Sequence, residues 1–284
     1  MQYQVLLFYK YITIENPKEV ADTLRAQMVH LGLRGRVIVA HEGINGTMEG
    51  KFMSTEEFAQ NFLKDERFSD VQIKRSAGDG SSFPKVSVKV RDEIVGTRFS
   101  YDEADPRIRT APYLSPEELR NWYENQKDFV VVDMRNDYEF ASGHFKDSIN
   151  PELENSRDLP KALEKLEPIK EKTVLTVCTG GVRCEKMSAY LLNKGFKNVY
   201  QLDGGIHTYM EKYPGKDYQG TLYTFDNRLV MDFGGDREII GTCKLCKSKT
   251  EKYVNCKNNL CHLHFLACDD CTKGEKVYCG DCIV

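Results

Sequence analysis

Leu175-Thr176-Val177-Cys178-Thr179-Gly180-Gly181-Val182-Arg183 joins an apolar, β-branched run to a helical stretch through a short turn. Val174 to Cys178 predicts a buried strand, and Glu185 to Lys194 predicts the helix that follows it. Two glycines let consecutive backbone N–H groups turn inward as an anion-binding nest, and the helix N-terminus adds partial positive charge. A thiol at such a point ionises more readily than a free cysteine. Cys178 is therefore the candidate nucleophile and Arg183 its electrostatic partner. Thr179, Gly180, Gly181 and Val182 form the loop around it. A cysteine used as a small core residue is the competing interpretation, and the loop chemistry disfavours it.

Working outward, Phe129 to Asp133 is a continuous apolar run, as in a parallel-sheet strand covered on both faces. Val199 to Leu202 is another, ending at Asp203-Gly204-Gly205. Ser115-Pro116-Glu117-Glu118 opens a helix with an N-cap, Pro at N1 and acids in its first turn. Strands alternating with helices predict an α/β domain over residues 113–218, with function at the carboxyl ends of its strands. Residues 1–100 alternate differently. Val5–Tyr11 is a β-rich run, and Pro17 opens a helix that stops at Gly32. Arg36–Ala40 is a strand, Gly43-Ile44-Asn45-Gly46 reads as a tight turn, and a second helix fits Ser54–Lys64 with Ser54 as N-cap. Val71–Lys74 and Lys85–Arg91 supply further strands. The order β-α-β-β-α-β predicts a ferredoxin-like domain of the acylphosphatase kind. The charged, Pro-containing stretch 101–112 is the expected linker, and 219–284 is a cysteine-rich C-terminal module.

A chain of 284 residues suits two or three domains at about 150 residues each. Its 40% hydrophobic and 29% charged composition is globular, and a net charge of -3 advertises no global basic field. The opening MQYQVLLFYKYITI lacks the pattern of a secretory signal, and no run is long enough to span a membrane. A reducing cytoplasmic setting is expected, where ten cysteines serve metal or chemistry rather than structural disulfides.

Eight of those cysteines form four pairs: Cys243 with Cys246, Cys256 with Cys261, Cys268 with Cys271, and Cys279 with Cys282. A C-x-x-C turn directs two thiolates to one side, so two such pairs complete a tetrahedral Zn²⁺ site. Two structural zinc ions are expected, because a tail this short lacks core enough to fold unaided. Spacing leaves open whether the pairs close in sequence or interleave. His262 and His264 are expected to be surface or packing residues. The tail holds seven lysines, Lys276 among them, against five acids, Glu275 among them. With Tyr253 and Phe265 it could grip an RNA backbone or stack a base.

Three motifs resemble the rhodanese family: Asp133-x-Arg135-x-x-x-Glu139-Phe140-x-x-Gly143-His144-Phe145, the Cys178–Arg183 loop, and Leu202-Asp203-Gly204-Gly205-Ile206. The resemblance implies that Asp133 and Arg135 brace the loop. Rhodanese-like phosphatases have a loop one residue longer, so this length matches the sulfur-carrying version. Phe8-Tyr9-Lys10-Tyr11, Glu42-Gly43-Ile44-Asn45-Gly46-Thr47, Cys184-Glu185-Lys186 and Leu222-Tyr223-Thr224-Phe225-Asp226-Asn227-Arg228 extend it. Together they resemble the rhodanese-domain tRNA uridine(34) hydroxylases over nearly the whole chain. The FVFDDR form expected before the tail is YTFDNR here. The resemblance implies O2-dependent hydroxylation of C5 of the wobble uridine, the tRNA anticodon region as partner, and an essential loop cysteine, here Cys178, described as a possible persulfide carrier.

A thiolate or persulfide at Cys178 suits such chemistry, because addition at C6 of uracil makes C5 nucleophilic. Arg183 and the loop N–H groups would keep the sulfur anionic. For Cys184, a first-turn position favours plain packing over a resolving thiol. No G-x-G-x-x-G opens a helix, so no dinucleotide site is expected, and no flavin or iron site shows itself; His144 is followed by Phe145 and Lys146. The alternatives are a sulfurtransferase carrying a persulfide on Cys178 and a non-enzymatic RNA- or protein-binding adaptor.

Overall fold

The computed structural model describes residues 2–274 and 277–282; Glu275 and Lys276 of the tail's charge count lie outside them. The chain divides into two compact units, Met1–Thr110 and Ala111–Val284. Among the described residues no helix is long and apolar enough to cross a membrane.

The first unit comprises β1 (Tyr3–Tyr11), α1 (Pro17–His30), β2 (Arg34–Ala40), β3 (Gly43–Lys51), α2 (Phe52–Phe62), β4 (Lys74–Gly78) and β5 (Val86–Val90). Strands β4-β1-β3-β2 are antiparallel neighbours in that order, the ferredoxin-like arrangement, and β5 extends the sheet parallel to β2. The apolar positions of α1, Val20, Ala21, Leu24 and Met28, recur at helical spacing and bury against the sheet with Phe8, Phe58, Phe62 and Phe68. Phe62 lies between two of these rings, 4.8 Å from Phe8 and 4.7 Å from Phe68.

Local boundaries differ from the sequence expectation in three places. Gly43–Gly46 is strand rather than turn, and the chain reverses at His41-Glu42. Gly46 is needed for packing: a Cβ there would stand 2.6 Å from the Phe8 ring. The second helix starts at Phe52, not at a Ser54 cap, because β3 runs directly into it. Its first N–H groups find other partners, Phe52 N donating to Gln2 O at 3.2 Å. The strand expected at Val71–Lys74 lies further on, at Lys74–Gly78; Val71 instead packs into the core after a 3-10 turn at Glu66–Phe68.

The second unit holds β6 (Tyr113–Leu114), α3 (Pro116–Glu124), β7 (Val130–Asp133), α4 (Asp137–Phe140), β8 (Gly143–Phe145), α5 (Leu159–Leu166), β9 (Thr173–Val177), α6 (Val182–Asn193), β10 (Asn198–Leu202) and α7 (Gly205–Lys212). After these come β11 (Tyr218–Gly220), β12 (Leu222–Tyr223), β13 (Val230–Met231), β14 (Tyr253–Asn255) and β15 (His264–Leu266). Strands β6-β10-β9-β7 form an all-parallel sheet. Its core gathers Leu114, Leu119, Val131, Leu175, Val177, Leu202, Ile206 and Tyr209. Ser115 and Glu118 close a capping box on α3. In the tail β12 pairs with β13 and β14 with β15, both antiparallel.

Candidate active site and metal centres

Cys178 follows the last residue of β9, at the carboxyl end of a central strand of the parallel sheet. Gly181, at φ +104°, turns the chain so that α6 begins at Val182, three residues before the expected start. The Cys178 side chain is buried, and its Sγ accepts the Gly181 N–H at 3.2 Å. The Asp203-Gly204-Gly205 turn backs the loop. Ile206 N donates to Cys178 O at 2.9 Å and His207 N to Thr179 O at 3.0 Å. A Cβ on Gly205 would lie 2.6 Å from Cys178 O and 2.7 Å from Gly181 N.

Burial pushes the Cys178 thiol up, but the Cys184 thiol, the Arg183 charge and the backbone N–H groups of Cys184 and Arg183 outweigh it and pull it down to about 6. Cys184 goes the other way: burial and the adjacent Cys178 sulfur hold it protonated, well above the usual thiol range. One sulfur of the pair ionises and the other donates to it. Cys184 thus lies against Cys178 rather than merely filling the core.

Arg183 is held by Glu139, a carboxylate with no exposed side-chain surface. Its Nη1 donates to Oε2 at 2.5 Å and its Nη2 to Oε1 at 2.8 Å. Thr179 Oγ1 accepts from Arg183 Nη2 and donates to Glu139 Oε1, both at 3.3 Å. Burial opposes the guanidinium charge, yet Glu139 outweighs it and keeps Arg183 above its ordinary value. Both Nη atoms being committed to Glu139, Arg183 acts on the thiolate through its field. Asp133 and Arg135 form a second, fully buried ion pair, in which Arg135 Nη2 also donates to Gly143 O at 2.6 Å. This pair ties β7 to β8.

Glu139 was present in the sequence motif without an assigned role, and its signal was a lone carboxylate following a buried-pair arginine. His207 was not singled out either. It is buried, edge-on to Phe233 at 5.2 Å, with Nδ1 3.4 Å from Glu211 Oε2.

The tail cysteines assemble as two interleaved quartets, Cys243-Cys246-Cys268-Cys271 and Cys256-Cys261-Cys279-Cys282, the sulfurs of each lying within 4.8 Å of one another. Cys246 and Cys268 are 3.5 Å apart and Cys261 and Cys279 3.8 Å. A disulfide needs about 2.05 Å, whereas tetrahedral thiolates about 2.3 Å from one ion stand about 3.8 Å from each other. The quartets have the donor set and spacing to hold a metal ion each. His264 lies outside both, stacked on Tyr253 at 4.9 Å and edge-on to Tyr138 at 5.4 Å. Tyr253 and Phe265 are buried, so the expected surface stacking by these two rings is corrected: they build the core of the tail. Three tail lysines are neutralised locally, Lys244 by Asp281, Lys252 by Asp269 and Lys273 by Asp270.

Comparison with known proteins matches a UPF0176 acylphosphatase like domain over residues 3–94, a Rhodanese-like domain over 115–212 and a Rhodanase C-terminal domain over 219–283. A tRNA uridine(34) hydroxylase of Cytophaga hutchinsonii is 39% identical over 97% of this chain and 87% of its own. A Staphylococcus aureus protein of the same name is 41% identical over 99% of this chain and 88% of its own. Among solved structures, a rhodanese-related protein from Thermoplasma volcanium aligns at 25% identity and TM-score 0.31, covering 36% of this chain and 93% of that one. With near-complete coverage by such relatives, and with the cysteine loop intact, the chain belongs to the tRNA uridine(34) hydroxylase family.

Proposed function

We propose that this protein hydroxylates C5 of uridine at the wobble position of tRNA, using O2 and forming 5-hydroxyuridine. The observation that carries the proposal is the buried Cys178 thiol, brought down to about 6 at a strand end in a chain whose full-length relatives bear that activity in their names. The overall change takes uridine, O2, two electrons and two protons from an external reductant to 5-hydroxyuridine and water. Cys178 adds through sulfur to C6, leaving C5 electron-rich toward oxygen, and departs when the C5–C6 double bond re-forms. Arg183 and the loop N–H groups keep the sulfur anionic; Thr179 and Glu139 hold Arg183 in place. Gly180, Gly181 and Val182 shape the loop, Cys184 donates to the sulfur, and Asp133 and Arg135 brace the strand end beneath it.

In this proposal residues 1–100 are an N-terminal ferredoxin-like platform, 101–112 a linker, 113–218 the catalytic domain and 219–284 a cysteine-rich module. Zinc is the metal that the all-thiolate quartets suit best, and it would supply folding energy rather than chemistry. The partner is the tRNA anticodon region, and the site of action the cytoplasm. Nucleoside mass spectrometry of tRNA from cells with and without the protein tests this. 5-Hydroxyuridine and its derivatives should vanish without it and return with the parent but not with Cys178→Ala. Loss of a thiolated nucleoside instead would make Cys178 a sulfur donor.

A further inference from the structure

The YTFDNR segment reverses the usual placement of polar and apolar side chains. Tyr223, Thr224 and Asp226 are buried, while Phe225 is 45% exposed. A large ring left nearly half exposed in a row of buried neighbours forgoes part of the gain from burying its apolar surface. The bonds that hold it are local. Asp226 accepts from Arg228 Nε at 2.8 Å, Nη2 at 2.6 Å and the backbone N–H at 3.0 Å. Thr224 N donates to Leu229 O at 2.8 Å, closing the turn.

The ring also has a defined place beside the cysteine loop. It meets Tyr223 edge-on at 5.3 Å, and the Arg183 guanidinium lies 5.5 Å from its centroid. Arg183 is in turn bonded to Thr179, the residue after Cys178. A half-exposed aromatic ring beside this loop, with a cation over it, suits stacking on the π-face of an unpaired nucleobase.

We propose that Phe225 is the stacking platform that positions the target pyrimidine of a single-stranded RNA segment over the Cys178 loop. The proposal rests on the hydroxylase reading. Stacking is indifferent to which base it meets, so Phe225 supplies placement and affinity, and discrimination of uracil falls to other groups. The sequence had offered Tyr253 and Phe265 for this role, and both are buried.

The test measures binding of an anticodon stem-loop RNA, with uridine at the wobble position, to full-length protein carrying Cys178→Ser. Adding Phe225→Ala should weaken binding about 5- to 150-fold, the range for one base–aromatic stack. Phe225→Trp should restore most of it, and Phe225→Leu should not. In the enzyme with Cys178 intact, Phe225→Ala should raise KM while the pH titration of the Cys178 thiolate stays in place. Unchanged affinity in Phe225→Ala would overturn the proposal, as would full rescue by Leu, since the ring would then be a space-filler. Failure of the hydroxylase reading shows separately, as parent protein forming no 5-hydroxyuridine. In that event the platform stands if Phe225→Ala still loses RNA affinity, and falls if no variant differs.

Discussion

Replacing Glu139 by Gln removes a buried negative charge from the Arg183 guanidinium while leaving it a hydrogen-bond acceptor, and this should lower the Cys178 pKa below about 6. Arg183→Met does the opposite, since it deletes the cation and leaves the field of the Glu139 carboxylate unopposed. A unit charge acting over about 5–7 Å at an effective dielectric of about 20 contributes about 2–3 kcal/mol, or about two pKa units. At pH 7 the thiolate fraction should therefore fall from about nine-tenths to about one-tenth in Arg183→Met. Each single change breaks a buried pair and should cost about 3–5 kcal/mol of stability. The double variant Glu139→Gln/Arg183→Met removes both charges and should cost less than the sum. Its Cys178 midpoint should lie between those of the parent and Arg183→Met. The assay is thiolate absorbance against pH, taken as the difference from a Cys178→Ser control so that the tail thiolates cancel. The folded-state pKa is depressed, so the stability the thiolate contributes is present above the ordinary thiol range and is lost as pH falls through about 6. A midpoint that rises in Glu139→Gln, or stays unmoved in Arg183→Met, would refute the electrostatic account and leave the loop N–H groups as the cause.

Asp133→Asn strands the fully buried Arg135 charge and should destabilise the protein by about 3–5 kcal/mol in urea unfolding, with a loss under 1 kcal/mol counting against it. Gly205→Ala forces a Cβ into Cys178 O at a backbone φ of +68°, so 5-hydroxyuridine formation should be lost with little change in far-UV circular dichroism. Metal analysis separates interleaved from sequential pairing: Cys246→Ser/Cys271→Ser falls within one quartet and should halve the bound zinc. Sequential pairing would put those two residues in different sites and empty both.

Features that are local in the chain were legible in the sequence. The Cys178 loop is one: strand, two glycines, arginine and helix follow within a dozen residues, and nest, dipole and low pKa all derive from that run. Glu139 was harder, because its partner lies 44 residues away and nothing in the spacing says which arginine it answers. The interleaving of the quartets was illegible in principle, since C-x-x-C pairs satisfy a tetrahedral ion in either order. Glycine misled at Gly43–Gly46, a strand in which Gly46 makes room for the Phe8 ring and Gly43 for the Lys10 backbone. The aromatic residues misled in both directions. Tyr253 and Phe265 looked available and are buried, whereas Phe225, given no role of its own within the Leu222–Arg228 motif, is exposed. Exposure of a ring there depends on the Asp226–Arg228 clamp, a feature of the turn and not of hydrophobic pattern.

Helix α4 shows why a tail built on two cysteine quartets belongs in the same compact unit as the cysteine loop. It has four residues, far too few to be stable alone, yet it carries Glu139 and so sets where Arg183 stands. Part of its support comes from the tail. The Tyr253 hydroxyl donates to Tyr138 O, and Tyr138 packs edge-on against both Tyr223 and His264. Tyr253 opens β14 and Leu266 closes β15, the antiparallel pair that leads directly into Cys256 and, two residues after Leu266, to Cys268. Each of those cysteines belongs to a different quartet. A hairpin of three residues per strand is marginal by itself, so the thiolate quartets at its ends fix it, it fixes Tyr138, and Tyr138 fixes the helix bearing Glu139. In the proposed reaction the cysteine quartets, unlike Phe225, would act without touching the substrate, by keeping the counter-charge of Arg183 in register with the sulfur it stabilises.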